Sequence, residues 1–354
     1  MITNILKKVE DYKEISLKHQ KRVKNIIALK NKKISHTIAP TPFEILGKNG
    51  RCNLLYFKPK CDQGKNPIFI TPSIINKYYI LDLMDGMSLI QYLTESNTPV
   101  YLIDWGVART IDRQASIEDH ILTWLDWGIK KSCTHAKLEK IDLFGQCIGG
   151  TFCTIYTAIH PELVNSLILL TTPIDFHDDG LLSIWANKSK IDIEMLGRVW
   201  GNIYRGFLKE SFQYLKPLDR IKKYHHLYSH SWDENFLNKY MAIDFWVNDC
   251  IDIPGSTYVK YIQEFYQQNL LVKGELNLEN KKVDLKNIQC PLFVITSNED
   301  NIVSSKSALA ILNCVSSKIK KTSIIPGGHI GLLLSSKAKE RFWSPISDWI
   351  EKEV

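Results

Sequence analysis

Lys140-Ile-Asp-Leu-Phe-Gly-Gln-Cys-Ile-Gly-Gly-Thr151 decides the fold. Residues 141–144 read as a short buried strand, and an apolar helical pattern follows at once. The turn between them, Gly145-Gln146-Cys147-Ile148-Gly149, is a G-x-nucleophile-x-G elbow with cysteine in the serine's place. Such a turn forces its central residue into a strained conformation, so the residues two before and two after it must lack bulk. It lifts the thiol to the top of a sheet beside a helix N-terminus, where the helix dipole favours a thiolate and a developing oxyanion. The N–H of Ile148 would point at that oxyanion. A glycine-bounded turn around an incidental buried cysteine has the same five residues. The strand before and the helix after favour the elbow.

A nucleophile on such a sheet needs an acid and then a histidine, in that chain order. His329 stands in Pro326-Gly327-Gly328-His329-Ile330-Gly331, directly after a predicted strand at 323–325. Asp300 stands in Ser297-Asn298-Glu299-Asp300-Asn301-Ile302-Val303, directly after a predicted strand at 292–296, and is preferred to Glu299 because the loop turns there into the next helix. A packing or capping role would also explain a lone histidine, but all three groups fall at C-terminal strand ends, where open α/β sheets bind ligands. His226 and His230 could be imagined as metal ligands. No HExxH frame or carboxylate pair accompanies them, a solvated helix face explains them better, and no metal is expected.

Working outward, further short apolar runs at 52–57, 68–71, 100–104 and 167–171 alternate with helical patterns, one of them N-capped by Ser116. This is the texture of a buried, mostly parallel sheet in an α/β domain. The rhythm breaks between 175 and 283, a stretch rich in Trp, Tyr and Phe at helical spacing. The expected organisation is a basic N-terminal arm at 1–40, a core formed by 41–174 and 284–354, and a mostly helical cap at 175–283.

The 354 residues carry a net charge of +7. Residues 1–40 hold ten Lys/Arg against three acids, so the arm accounts for the whole excess and the remaining chain is neutral. A nucleic-acid-binding body would need a basic face of its own, and none is expected. The eight cysteines form no CxxC, and no apolar stretch approaches a membrane span. Free thiols in a reducing cytosol follow as the expectation.

With these residues in hand, the chain closely resembles the polyhydroxyalkanoate synthases from about residue 65 to 345. The likeness rests on Pro72-Ser-Ile-Ile-Asn-Lys-Tyr-Tyr-Ile-Leu-Asp-Leu83, Tyr101-Leu-Ile-Asp-Trp-Gly106, Gly145-Gln-Cys-Ile-Gly-Gly150, Thr171-Thr-Pro-Ile-Asp-Phe176, Asp244-Phe-Trp-Val-Asn-Asp249, Pro254-Gly255 and Gly327-Gly-His-Ile-Gly331. The elbow's early position resembles the catalytic subunit of the short, two-component type. Phe212-Gln-Tyr-Leu-Lys-Pro217 and residues 75–83 look more like the single-subunit types, and Asn301 and Ser304 replace a histidine and a proline common there.

The resemblance implies an α/β-hydrolase fold with a mobile cap, and an acyltransferase that polymerises 3-hydroxyacyl-CoA, 3-hydroxybutyryl-CoA in particular, with release of CoA. It implies Cys147 as the acyl-carrying nucleophile, His329 as its base and Asp300 as the third member. A second oxyanion donor would be the N–H of Ile75. Asp300 would either orient His329 or help deprotonate the attacking hydroxyl. No cofactor is implied. The expected partners are the acyl-CoA, the growing polyester, a second synthase subunit and further copies of this chain, on cytoplasmic polyester granules. The arm would meet a partner subunit or a granule surface, or be a solvated helix. A Cys-His-Asp hydrolase of the lactone or thioester type and a non-enzymatic granule scaffold are the rival readings of the same core.

Overall fold

Successive residues of the apolar runs go to opposite faces of one eight-stranded sheet, which is why those runs carry almost no polar alternation. The computed structural model describes residues 2–30, 38–61, 65–178, 180–188, 192–214, 219–335 and 337–352. The strands are β1 (Glu44–Asn49), β2 (Cys52–Phe57), β3 (Ile68–Thr71), β4 (Val100–Asp104), β5 (Ile141–Gln146), β6 (Val164–Leu170), β7 (Leu292–Ser297) and β8 (Lys320–Ile325). They lie in the order β1-β2-β4-β3-β5-β6-β7-β8, with β1, β2 and β4 pairing antiparallel and the rest parallel. The fold is the expected α/β class.

Helices cover both faces. On one lie α3 (Asp126–Ala136), α4 (Ile148–Ile159) and α12 (Ser305–Leu309), packed against Phe69, Leu143 and Leu169. On the other lie α2 (Leu89–Glu95) and α13 (Ser344–Lys352), packed against Ile70, Phe144 and Phe293. Ser116 caps its helix as expected: its hydroxyl accepts from the Asp119 N–H at 3.2 Å while Asp119 accepts from the Ser116 N–H at 2.8 Å. That helix begins with a π-helical stretch, Asp119–Leu125, before continuing as α3.

Between β6 and β7 the chain leaves the sheet for α5 (Leu181–Lys188), α6 (Ile193–Trp200), α7 (Arg205–Tyr214), α8 (Asp219–His230), α9 (Glu234–Asn248), α10 (Gly255–Lys260) and α11 (Leu270–Lys273). The only strands here among the described residues are two-residue ladders, Ile253–Pro254 against Asn202–Ile203 and Asn277–Leu278 against Lys281–Lys282. The Leu215-Lys216-Pro217 end of the motif quoted above lies outside the described residues.

Strand β1 was not expected from the sequence. Its residues are half-exposed and include Gly47, Lys48 and Asn49, so no apolar period marks it. The signal available was Gly50-Arg51 just before an apolar run, a Gly-X pair of the kind that makes a two-residue II′ hairpin turn. Gly50 has φ +58°, as that turn requires.

The basic arm is one helix, α1 (Ile2–Lys30), and its described side chains reach the α8–α9 turn. The Asn25 side-chain amide donates to the Ser231 carbonyl at 2.9 Å. Arg22 lies 4.7 Å from the Tyr228 ring and Lys18 lies 4.9 Å from that of Trp232. Beyond residues 31–37 the chain is tied to the core, with Thr41 bonded twice to the buried Asp82 carboxylate. No described helix is long and apolar enough to cross a membrane.

Candidate active site

Cys147 sits between the end of β5 and the first turn of α4 with φ 52° and ψ −126°, a conformation that costs an L-residue energy. Its N–H donates to the Leu170 carbonyl at 2.9 Å, and its carbonyl accepts from Gly150 at 2.9 Å. The flanking glycines are needed for contact. A Cβ on Gly145 would stand 2.3 Å from the Gly150 Cα, and one on Gly149 would stand 2.2 Å from the Thr71 carbonyl oxygen.

Both obstacles are backbone, so they cannot swing away. Gly149→Ala is expected to lower stability by about 1–3 kcal/mol and to displace the Thr71–Pro72 segment. A urea unfolding midpoint equal to that of the parent protein would contradict this close approach.

His329 occupies the turn after β8 and is 8% exposed. Its Nδ1 lies 2.6 Å from Asp300 Oδ2. The turn is held by the Ser297 hydroxyl at the end of β7, which donates to the Gly327 carbonyl, and Gly327 takes φ +129°. Asp300 is fixed in turn, because its Oδ1 accepts from the N–H groups of Ile302 at 2.8 Å and Val303 at 3.0 Å. With Oδ2 on His329 and Oδ1 on two amides, the buried carboxylate is fully engaged. The Cys147 sulfur acts on the same ring, and both side chains line one cavity. Burial pushes against the charged imidazole, but the charge on Cys147 and the Asp300 carboxylate outweigh it, and His329 is raised to about 10.

Cys147, His329, Ile148 and Ile75 line one cavity of about 320 Å³, and Asp300 lies behind His329. Ile148 opens α4, so its N–H has no intrahelical acceptor. The Ile75 N–H makes one long contact, 3.4 Å, to Ser73 Oγ. The loop carrying Ile75 is held from both sides. Trp105 donates to the Pro72 carbonyl at 2.9 Å. From the α9–α10 connection, the Ile251 N–H donates to the Ile75 carbonyl at 3.2 Å, and the Asn76 amide lies 3.2 Å from Cys250 Sγ. Asp249 takes the Tyr79 hydroxyl at 2.7 Å and the Lys77 ammonium at 3.2 Å.

The cavity wall is mostly apolar, and α5, α7, α9 and α10 contribute Trp185, Leu208, Trp246 and Tyr258 to it among others. Tyr261 and Tyr266 reach it from a π-helical turn, Tyr261–Gln267, that continues α10. The aromatic richness of this stretch was visible in the sequence. Which rings face the sulfur was not, because a π turn shifts the helical phase.

Other histidines serve structure. His120 is fully buried, pushed down to about 3 by burial, and meets the Arg51 guanidinium at 2.8 Å. His226 and His230 pack on each other and on Phe236.

Comparison with known proteins adds three findings. A family described as "Poly-beta-hydroxybutyrate polymerase (PhaC) N-terminus" matches residues 5–93, and one described as "alpha/beta hydrolase fold" matches residues 89–336. The "Poly(3-hydroxyalkanoate) polymerase subunit PhaC" of Synechocystis sp. is 31% identical over 320 residues, 88% of this chain and 85% of that protein. The protein of the same name from Allochromatium vinosum is 32% identical over 288 residues, 81% of each. In Haloferax mediterranei it is 31% identical, and the match spans 64% of that longer protein. Among solved structures, the Paleococcus ferrophilus monoacylglycerol lipase matches 86% of this chain with TM-score 0.54 at 16% identity. A Thermogutta terrifontis esterase matches 90% with TM-score 0.52 at 14% identity. These two establish the α/β-hydrolase fold.

Proposed function

Because the chain belongs to the poly(3-hydroxyalkanoate) polymerase family, we propose that it joins 3-hydroxyacyl groups from CoA thioesters into polyester, carrying each acyl group on Cys147. The observation that supports this most is the strained cysteine facing a His329–Asp300 pair inside an apolar cavity.

His329 takes the thiol proton, and the sulfur attacks the thioester carbonyl. The N–H groups of Ile148 and Ile75 stabilise the oxyanion. Collapse breaks the C–S bond to CoA, whose thiolate takes the proton back from His329. One thioester is exchanged for another, so this step is close to balanced in energy. The 3-hydroxyl of the next 3-hydroxyacyl-CoA then attacks the Cys147 thioester while His329 accepts its proton. An ester bond forms, the C–S bond to Cys147 breaks, and the freed thiolate takes the proton back from His329. The lengthened chain is left on CoA to reload Cys147. Asp300 orients His329, because both of its oxygens are already engaged, Oδ2 by the imidazole itself. Residues 175–283 act as the cap, whose apolar wall keeps water from the acyl-enzyme. The nucleophile, base, acid and oxyanion roles are all part of this proposal.

We further propose that the chain works with a second synthase subunit and with copies of itself, on polyester granules in the cytoplasm. The arm supports this reading, since α1 places lysine-rich surface beside the α8–α9 turn.

Incubation with 3-hydroxybutyryl-CoA is expected to release CoA and to leave insoluble polyester. Release of CoA with an equal amount of free 3-hydroxybutyrate and no polymer would make the protein a thioester hydrolase instead.

A further inference from the structure

Two lysines line the catalytic cavity, and among the described residues no aspartate or glutamate does. Lys77 belongs to the loop that carries Ile75, and Lys209 to α7. Their ammonium groups both come to the C-terminal end of α9. Lys209 donates to the Asn248 side-chain oxygen, and Lys77 lies 3.2 Å from Asp249. This end of the cavity is its rim, since the Lys77 side chain is 37% exposed and Asn248 is open to solvent, while Cys147 is buried.

Charge at the rim is out of balance. Among the described residues Asp249 is the one carboxylate in contact with either lysine, and it also accepts from the Tyr79 hydroxyl at 2.7 Å. Lys209 meets a neutral amide, whose nitrogen is turned to Asp244 at 3.0 Å. The charge of Lys209 also reaches inward, because it acts on the thiol of Cys250, which lines the cavity beside Asn76. Two cations therefore share one carboxylate at the mouth of a mostly apolar chamber.

Such a chamber suits a long ligand that is uncharged along its length and anionic at its outer end. Cations at the mouth of a cleft with low-dielectric walls raise the local concentration of an anion. A CoA thioester has this distribution of charge. Its acyl group and pantetheine arm are uncharged, and its phosphates begin where the arm ends.

We propose that Lys77 and Lys209 bind the phosphates of the CoA thioester at the cavity mouth while its acyl end lies at Cys147. This rests on the reading of Cys147 as the acyl carrier. The two lysines serve capture of the substrate rather than the bond-making step.

The test compares Lys209→Gln and Lys209→Arg with the parent protein in single-turnover acylation of Cys147. The substrates are 3-hydroxybutyryl-CoA and 3-hydroxybutyryl-pantetheine, which keeps the reacting end and the arm but has no phosphate. Thiol release and the mass of the Cys147 adduct are followed. In Lys209→Gln the second-order rate constant for the CoA thioester should fall about 5–20-fold, while the pantetheine thioester should react within about twofold of the parent rate. Lys209→Arg, which keeps the charge, should lose far less with the CoA thioester. Raising salt from about 50 to about 500 mM should slow the parent's reaction with the CoA thioester and not with the pantetheine thioester. Lys77→Gln should shift the ratio of the two rates in the same direction, and the ratio cancels any disturbance of the Ile75 loop, which slows both alike. An unchanged rate with the CoA thioester in Lys209→Gln would overturn the proposal. So would an equal loss on both thioesters, which a role confined to holding the end of α9 would produce. Absence of any adduct on Cys147 in the parent protein with either thioester would instead overturn the acyl-carrier reading.

Discussion

Cys147→Ala should reduce CoA release from 3-hydroxybutyryl-CoA by roughly 10⁴-fold or more while leaving the protein folded. The sulfur is the only atom of that residue the proposed chemistry uses. Its backbone is set by the Leu170 and Gly150 hydrogen bonds, which alanine keeps. The side chain is small and borders a cavity, so truncation opens little new void. Two measurements separate the outcomes. Stopped assays with a thiol reagent that reports free CoA give the rate, and far-UV circular dichroism with urea unfolding gives the fold. A folded Cys147→Ala protein that releases CoA within tenfold of the parent would remove Cys147 from the mechanism and revive the view of this chain as a scaffold.

The second large effect is expected at His329. In His329→Gln, both the acylation and the chain-extending step lose their proton acceptor, and turnover should fall by about 10²–10⁴-fold. Stability should change with a characteristic pH dependence. The folded imidazole is raised to about 10 from an ordinary value of 6.5, despite burial, by the charge on Cys147 and by Asp300. A histidine whose pKa rises on folding contributes stability that is complete below its unfolded pKa and is lost as pH climbs through the folded one. The gap in urea midpoint between the parent and His329→Gln should therefore be fully open below pH 6.5 and shrink as pH rises from there toward 10. A gap that stays constant over that range would mean that His329 carries no extra proton in the native state.

The catalytic frame was legible because it is local. An elbow needs small residues at fixed offsets from its centre, and Gly145 and Gly149 are those residues, each within van der Waals contact of backbone. Asp300 could be read because it follows β7, a run buried on both faces, and His329 because it stands in a Gly-Gly-His turn after the short apolar end of the more exposed β8. Strand β1 lacked such a run, since Glu44, Ile45 and Lys48 are all exposed. Tyr261 was visible only as one aromatic among many. Its place on the cavity wall depends on a π turn and on where Thr257 and Lys260 are moored, which no short pattern records. The arm's charge was plain in the sequence, but its seat against Tyr228 and Trp232 joins residues some two hundred positions apart.

The hydrogen bond from Ile251 to Ile75, with its companions at Asn76 and Asp249, has a consequence for timing. It makes one loop answer to two masters. The segment that roofs the cavity also holds the amide proposed to steady the oxyanion, so lifting the roof slackens the amide. Water would enter in the interval when the site is least able to use it. Fidelity of polymer over hydrolysis would then depend on sequence in time as much as on dryness, because the door and the trigger share a hinge.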